Sequence, residues 1–136
     1  MKKYYLLIPA IMAVLSACTS HHNNGYVKHH HQIVAAANKL GWHLFVGDIG
    51  NDDGTKYQFS LALDDEQRRD EGQLTLIAAD NGTLTFKGQT NSGSPVTVLS
   101  KAEQCVDDDG RVHERKLCVD VNGRTLVGCG NEHHLN

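Results

Sequence analysis

The sequence holds 136 residues, with 13 Lys and Arg against 16 Asp and Glu, for a formal charge of −3 with the histidines neutral. That length suits one domain with one modest core, and an acidic chain without a basic stripe is not built to hold nucleic acid. Four cysteines and nine histidines are the compositional features left to explain.

The chain opens on Lys2-Lys3 and an apolar run from Tyr4 to Val14, followed by Leu15-Ser16-Ala17-Cys18. A basic start, a short apolar middle and small residues before a cut form the pattern of a secretory signal peptide. Residues 4–17, interrupted by Pro9 and Ser16, are fewer than the roughly 20 that a spanning helix needs. Leu15-Ser16-Ala17-Cys18 resembles the lipobox of bacterial lipoproteins. That resemblance implies a cut before Cys18 and a lipid anchor on it, with diacylglycerol on the thiol and an acyl chain such as palmitate on the new N-terminus. Thr19 follows where an Asp would imply inner-membrane retention, so the implied address is the outer membrane of a Gram-negative envelope. Loss of residues 1–17 takes Lys2 and Lys3 with it and leaves a mature charge of −5.

Residues 18–28 contain His21-His22-Asn23-Asn24-Gly25, have little apolar content and read as a polar tether. From Val27 to Leu40, Ile33, Val34, Ala37 and Leu40 recur at helical spacing before Gly41, which predicts one N-terminal helix. Past Gly41 the period becomes two. Strands are expected at Trp42–Val46 and at Tyr57–Leu63, then a charged loop over residues 64–72. Leu74, Leu76 and Ala78 form a strand that Asn81-Gly82 turns into Leu84, Phe86 and Gly88, since both turn residues accept positive φ. Val96–Leu99 follows the loop Asn91–Pro95. Residues 107–110 and then Asn122-Gly123 turn the last third into a tight meander. The fold class expected is mainly β: a small antiparallel sheet or barrel of six to seven strands with one N-terminal helix. The domain covers residues 29–130, and residues 131–136 form a polar tail.

If Cys18 carries lipid, Cys105, Cys118 and Cys129 remain in an oxidising compartment, and one disulfide plus one odd thiol is expected. A two-residue turn at Asn122-Gly123 sets Cys118 opposite Val127 and diagonal to Cys129. A four-residue turn at 107–110 sets Cys105 opposite Val112 on the same face, so alternation does not choose the pair. Cys105-Val106-Asp107 and Leu126-Val127-Gly128-Cys129-Gly130 resemble the C-x-D and L-x-G-C ends of a closing module. That module occurs in uncharacterised Gram-negative envelope lipoproteins, often beside lysozyme-inhibitor-like or META domains. The match covers about 35 residues. It departs from the module at Asp108-Asp109-Gly110, where a Gly-Met-Ser-Asp run is usual, and Cys118 is extra. The resemblance implies a structural Cys105–Cys129 disulfide, with Cys118 a buried thiol or an alternative partner.

The histidines cluster near the two ends, as His21, His22, His29, His30 and His31 and as His133 and His134. Neutral imidazole suits zinc or copper, and histidine-rich tracts bind metal even when unstructured. A defined site needs three or four ligands in a set geometry. The acidic clusters Asp52-Asp53, Asp64-Asp65-Glu66 and Asp107-Asp108-Asp109 lack the alternating spacing of a calcium loop, and they adjoin turns that Asp supports through its own backbone bonds. Cys118 and His113, five apart on one strand, would face opposite ways, and no serine sits in a G-x-S-x-G elbow. No catalytic set emerges and no enzyme is expected. The expectation is a non-catalytic envelope lipoprotein, held to the membrane by its anchor. Its β-domain would bind another macromolecule, such as a protein partner in the envelope, in an inhibitor-like or scaffolding role. The alternative is a periplasmic zinc- or copper-binding lipoprotein.

Overall fold

The computed structural model describes residues 30–49 and 54–135, so the signal, the lipobox, Cys18 and the tether histidines His21, His22 and His29 lie outside the described residues. Ten strands run in chain order: β1 (His30–Ala37), β2 (Trp42–Asp48), β3 (Lys56–Leu63), β4 (Arg68–Asp80) and β5 (Thr83–Thr90), then β6 (Pro95–Lys101), β7 (Cys105–Val106), β8 (Val112–His113), β9 (Arg115–Val121) and β10 (Arg124–Leu135). Eight of them close an antiparallel barrel in the order β1-β10-β9-β6-β5-β4-β3-β2, while β7 and β8 pair separately as a two-stranded ribbon. Each barrel strand therefore pairs with the next along the chain, and the ribbon is an excursion between β6 and β9.

Alternation decides which residues enter the barrel. On β9, Leu117, Val119 and Val121 are buried inward, and on β3 Tyr57, Phe59, Leu61 and Leu63 do the same. The largest side chains of the filled interior are Trp42, Tyr57 and Phe86, with the Tyr57 and Phe86 rings edge to face at 5.1 Å. An eight-stranded barrel is just wide enough for side chains to fill. Asn81 and Gly82 (φ 52° and 81°) and Asn122 and Gly123 (φ 50° and 75°) make the two tight hairpins with the left-handed backbone that such turns need.

Four expectations need correction. No helix stands at the N-terminal end of the described residues: residues 30–37 are β1, followed by a 3-10 turn at Asn38–Leu40. Ile33, Ala35 and Ala37 point into the barrel with period two, and the outward Val34, 47% exposed, blurs that period into a helical one. The strand count of six to seven falls short, because β1 and the ribbon were not legible as strands. The charged loop is short, because β4 begins at Arg68 and pairs Arg69 with Ala62. The expected polar tail continues β10 and pairs with β1 through Leu135.

The ribbon also differs in register. Cys105 lies opposite His113 rather than Val112, so the connection has five residues. Asp107 Oδ1 accepts from the Asp109 and Arg111 N–H groups, each at 2.9 Å, and holds that turn. The Cys105–Cys129 disulfide, with Cα atoms 5.4 Å apart, ties β7 to β10. The pairing implied by the closing-module resemblance is thus present, reached by folding the ribbon against the outer wall. Cys118 lies opposite Val127 and packs with Leu99 on the outer face. It is not an odd thiol: it too is disulfide-bonded, and no described cysteine is free.

Candidate functional site

Barrel closure brings three ionisable side chains together inside one end. Ile33 pairs with Glu132 across β1 and β10, and Arg115 pairs with Gly130 across β9 and β10. Both charged residues therefore lie on the inward phase of their strands. Glu132 bonds His31 Nδ1 through Oε2, and its Oε1 lies 3.1 Å from Arg115 Nη1. All three side chains are under 10% exposed. Arg115 spends its other donors nearby: Nε donates to Ser100 Oγ at 2.5 Å, and Nη2 donates to Gly82 O at 2.6 Å and Ser100 O at 2.9 Å. His31 N–H donates to the Tyr57 hydroxyl at 3.3 Å.

Burial sets the electrostatics here. It pulls Arg115 below its ordinary value, a shift that the Glu132 carboxylate opposes. Arginine stays charged through the biological range all the same. The Tyr57 hydroxyl is pushed up to about 12, chiefly by burial. His31, Arg115 and Glu132 line a cavity of about 310 Å³ at the barrel end, together with Ala79, Asp80, Asn81, Gly82, Thr83 and Leu84. Removing either member of such a buried, hydrogen-bonded pair would leave a charge without compensation.

A second polar set pins the ribbon. Asp107 Oδ2 lies 2.6 Å from His113 Nε2, and Asn131 Nδ2 lies 3.2 Å from His113 Nδ1. The bond to His113 holds the Asp107 carboxyl below the usual carboxylate range. Lys39 N–H donates to Asp108 Oδ2 at 3.0 Å and moors the turn to the barrel. The acidic cluster Asp107-Asp108-Asp109 therefore does turn chemistry.

The histidine tracts, far apart in sequence, meet across the seam. The β1–β10 register sets His30 opposite Leu135, His31 opposite His134 and Gln32 opposite His133. Among the described residues no group of three or more His, Cys, Asp or Glu is arranged to hold a metal ion. His43 is exposed beside Glu66, with 3.9 Å between Nε2 and Oε1.

Arg115 and Glu132 escaped the sequence reading, yet each carries a signal. Arg115 shares the phase of Leu117, Val119 and Val121, and Glu132 that of Leu126, Gly128 and Gly130. A charge in the apolar phase of a strand marks a buried ion pair more often than a surface one.

No protein-family model, curated protein or solved structure matches this chain. Function is therefore argued from the chain's own residues.

Proposed function

We propose that this chain is a lipid-anchored envelope protein, tethered through Cys18 to the outer membrane, whose barrel binds another macromolecule without catalysing a reaction. The observation that carries the anchor is the Leu15-Ser16-Ala17-Cys18 run behind an apolar segment too short to span a bilayer. The filled barrel supports a binding role on the outside: with Trp42, Tyr57 and Phe86 occupying the interior, recognition falls to the wall and the loops. The ionisable side chains inside bond one another, which favours a structural role for them over chemistry. Metabolic labelling with a palmitate analogue tests the anchor. Wild type is expected to take up label and fractionate with the outer membrane. Cys18→Ala is expected to lose the label and be released or stall as a precursor, and label retained in that variant overturns the reading.

The second reading, a zinc- or copper-binding lipoprotein, gains support from the seam register, which sets His31 opposite His134 and Gln32 opposite His133 on adjacent strands. Facing positions of an antiparallel pair lie about 4.5–5.5 Å apart. Zinc titration of the full chain, compared with the His133→Ala/His134→Ala variant, separates the readings. A rise in melting temperature at micromolar zinc that the variant lacks favours metal binding.

A further inference from the structure

The outer wall carries a concave patch on β2, β3 and β4 that none of the roles above uses. A groove of about 280 Å³ is lined by Phe45, Gln58, Ser60, Glu71, Gln73 and Asn91, among others. The register explains the grouping: Phe45 faces Ser60, Ser60 faces Glu71, and Gln58 faces Gln73, so all five lie on one face of three adjacent strands. Asn91 closes one side, its N–H donating to Glu71 O at 2.7 Å, which moors the β5–β6 turn to β4.

Two glycines shape the groove. A Cβ at Gly47 would stand 2.8 Å from Phe45 Cε2 and 2.9 Å from Cζ, so the half-buried ring lies over the bare backbone of its own strand. A Cβ at Gly72 would stand 2.1 Å from Gln89 O, so β5 presses against β4 at this point. The edge of the ring is thereby held against the wall beside a row of planar polar side chains.

We propose that this groove is a binding site for a neutral oligosaccharide. A fixed aromatic face receives the C–H surface of a pyranose ring. Amides and a carboxylate match sugar hydroxyls, because each offers donors or acceptors in a fixed plane. Glu71 is the one charged group among the groove's lining residues, and the Arg69 guanidinium at its edge offsets that charge, so neither sign of ligand charge is favoured. Ser60 is held by Arg69, whose Nη1 donates to Ser60 Oγ at 2.6 Å, so its hydroxyl is oriented before a ligand arrives. The proposal rests on the macromolecule-binding reading and names its ligand class and surface.

The test is an NMR titration of the full-length protein in detergent micelles with two neutral trisaccharides, chitotriose and cellotriose. They share β-linked pyranose rings and differ in the N-acetyl groups. Shifts are expected at residues 45, 58, 60, 71, 73 and 91, and stronger binding of chitotriose than of cellotriose would show that the amides read N-acetyl groups. Phe45→Ala and the exposed Gln73→Ala are each expected to weaken binding about tenfold or more, equivalent to about 1.4 kcal/mol. The second variant keeps the test open if the first unfolds. No shift with either sugar at millimolar concentration overturns the proposal, as do shifts confined to the barrel-end cavity. Failure of lipid labelling leaves this titration untouched, so the two outcomes are separable.

Discussion

Trp42 occupies the space that Gly128 leaves empty. A Cβ at Gly128 would stand 2.6 Å from Trp42 Cζ2 and 2.7 Å from Ala36 O, while the indole itself is only 1% exposed. The largest core side chain thus enters the barrel against a bare strand, which places Gly128 of the Leu126–Gly130 run under a packing demand. Gly128→Ala is expected to cost about 1–3 kcal/mol, the usual penalty for overfilling a packed core. Urea unfolding followed by far-ultraviolet circular dichroism measures it. Pairing the change with Trp42→Phe, a smaller ring that also removes an indole N–H lacking a hydrogen-bond partner, is expected to cost less than the sum of the single changes. Additive losses would show that the two sites do not share this space.

Tyr57 gives the fold an alkaline limit. Its hydroxyl is raised from 10.0 to about 12, so folding favours the protonated form. The corresponding stability is fully present below the unfolded value near 10 and disappears as pH rises through about 12. The shift corresponds to about 2–3 kcal/mol. Tyr57→Phe is expected to flatten the loss across that window. It should also lower stability near neutrality, because the His31 N–H loses its acceptor. A wild-type stability that stays level from pH 10 to 12 would show that the hydroxyl is less buried than its surroundings indicate.

The Cys105–Cys129 disulfide closes a loop with a sequence separation of 24 residues. In the chain-entropy picture, opening such a loop costs about 3 kcal/mol. Cys105→Ser is expected to lower the denaturation midpoint accordingly and to release the ribbon first, read as faster amide exchange at Asp107, whose N–H donates to Arg111 O. Equal slowing of exchange in both proteins would show that Asp107, His113 and Asp108 hold the ribbon unaided.

Cys118 bears directly on the anchor. It is disulfide-bonded, Cys105 and Cys129 bond each other, and Cys18 is the one other cysteine in the sequence. A thioether to lipid consumes the Cys18 sulfur, so lipidation and an intrachain bond between Cys18 and Cys118 exclude each other. Non-reducing peptide mapping of protein taken from the envelope is expected to find the label on Cys18 and, with Cys105 and Cys129 bonded to each other, the Cys118 peptide joined to a cysteine of a second molecule. An intrachain Cys18–Cys118 peptide would overturn the lipid anchor.

Arg115 and Glu132 test how the barrel end is held. Removing one partner of a buried pair leaves a charge without compensation, at about 3–5 kcal/mol. Arg115→Met is expected to lose that much in urea unfolding, and Arg115→Lys to recover only part of it, since a lysine cannot reach Ser100, Gly82 and Glu132 together. A loss below 1 kcal/mol would assign the pair to solvent.

The order legible in the sequence is local. Period-two alternation at Tyr57–Leu63 and at Leu74, Leu76 and Ala78, punctuated by Asn81-Gly82 and Asn122-Gly123, was enough to specify antiparallel hairpins, because face and turn are set by residues one to four apart. The same logic correctly set Cys118 opposite Val127. The tertiary structure alone decided β1, where apolar Val34 and Ala36 stand in outward positions and hide the alternation. A segment of that composition becomes a strand because β10 and β2 offer it two ladders and a core to enter. Closure itself pairs His30 with Leu135, and the contact of His31 with Glu132 spans 101 residues. No local pattern records a pairing across the whole chain. For that reason the eighth strand, the meeting of the histidine tracts and the buried Arg115–Glu132–His31 set became visible only once the barrel was closed.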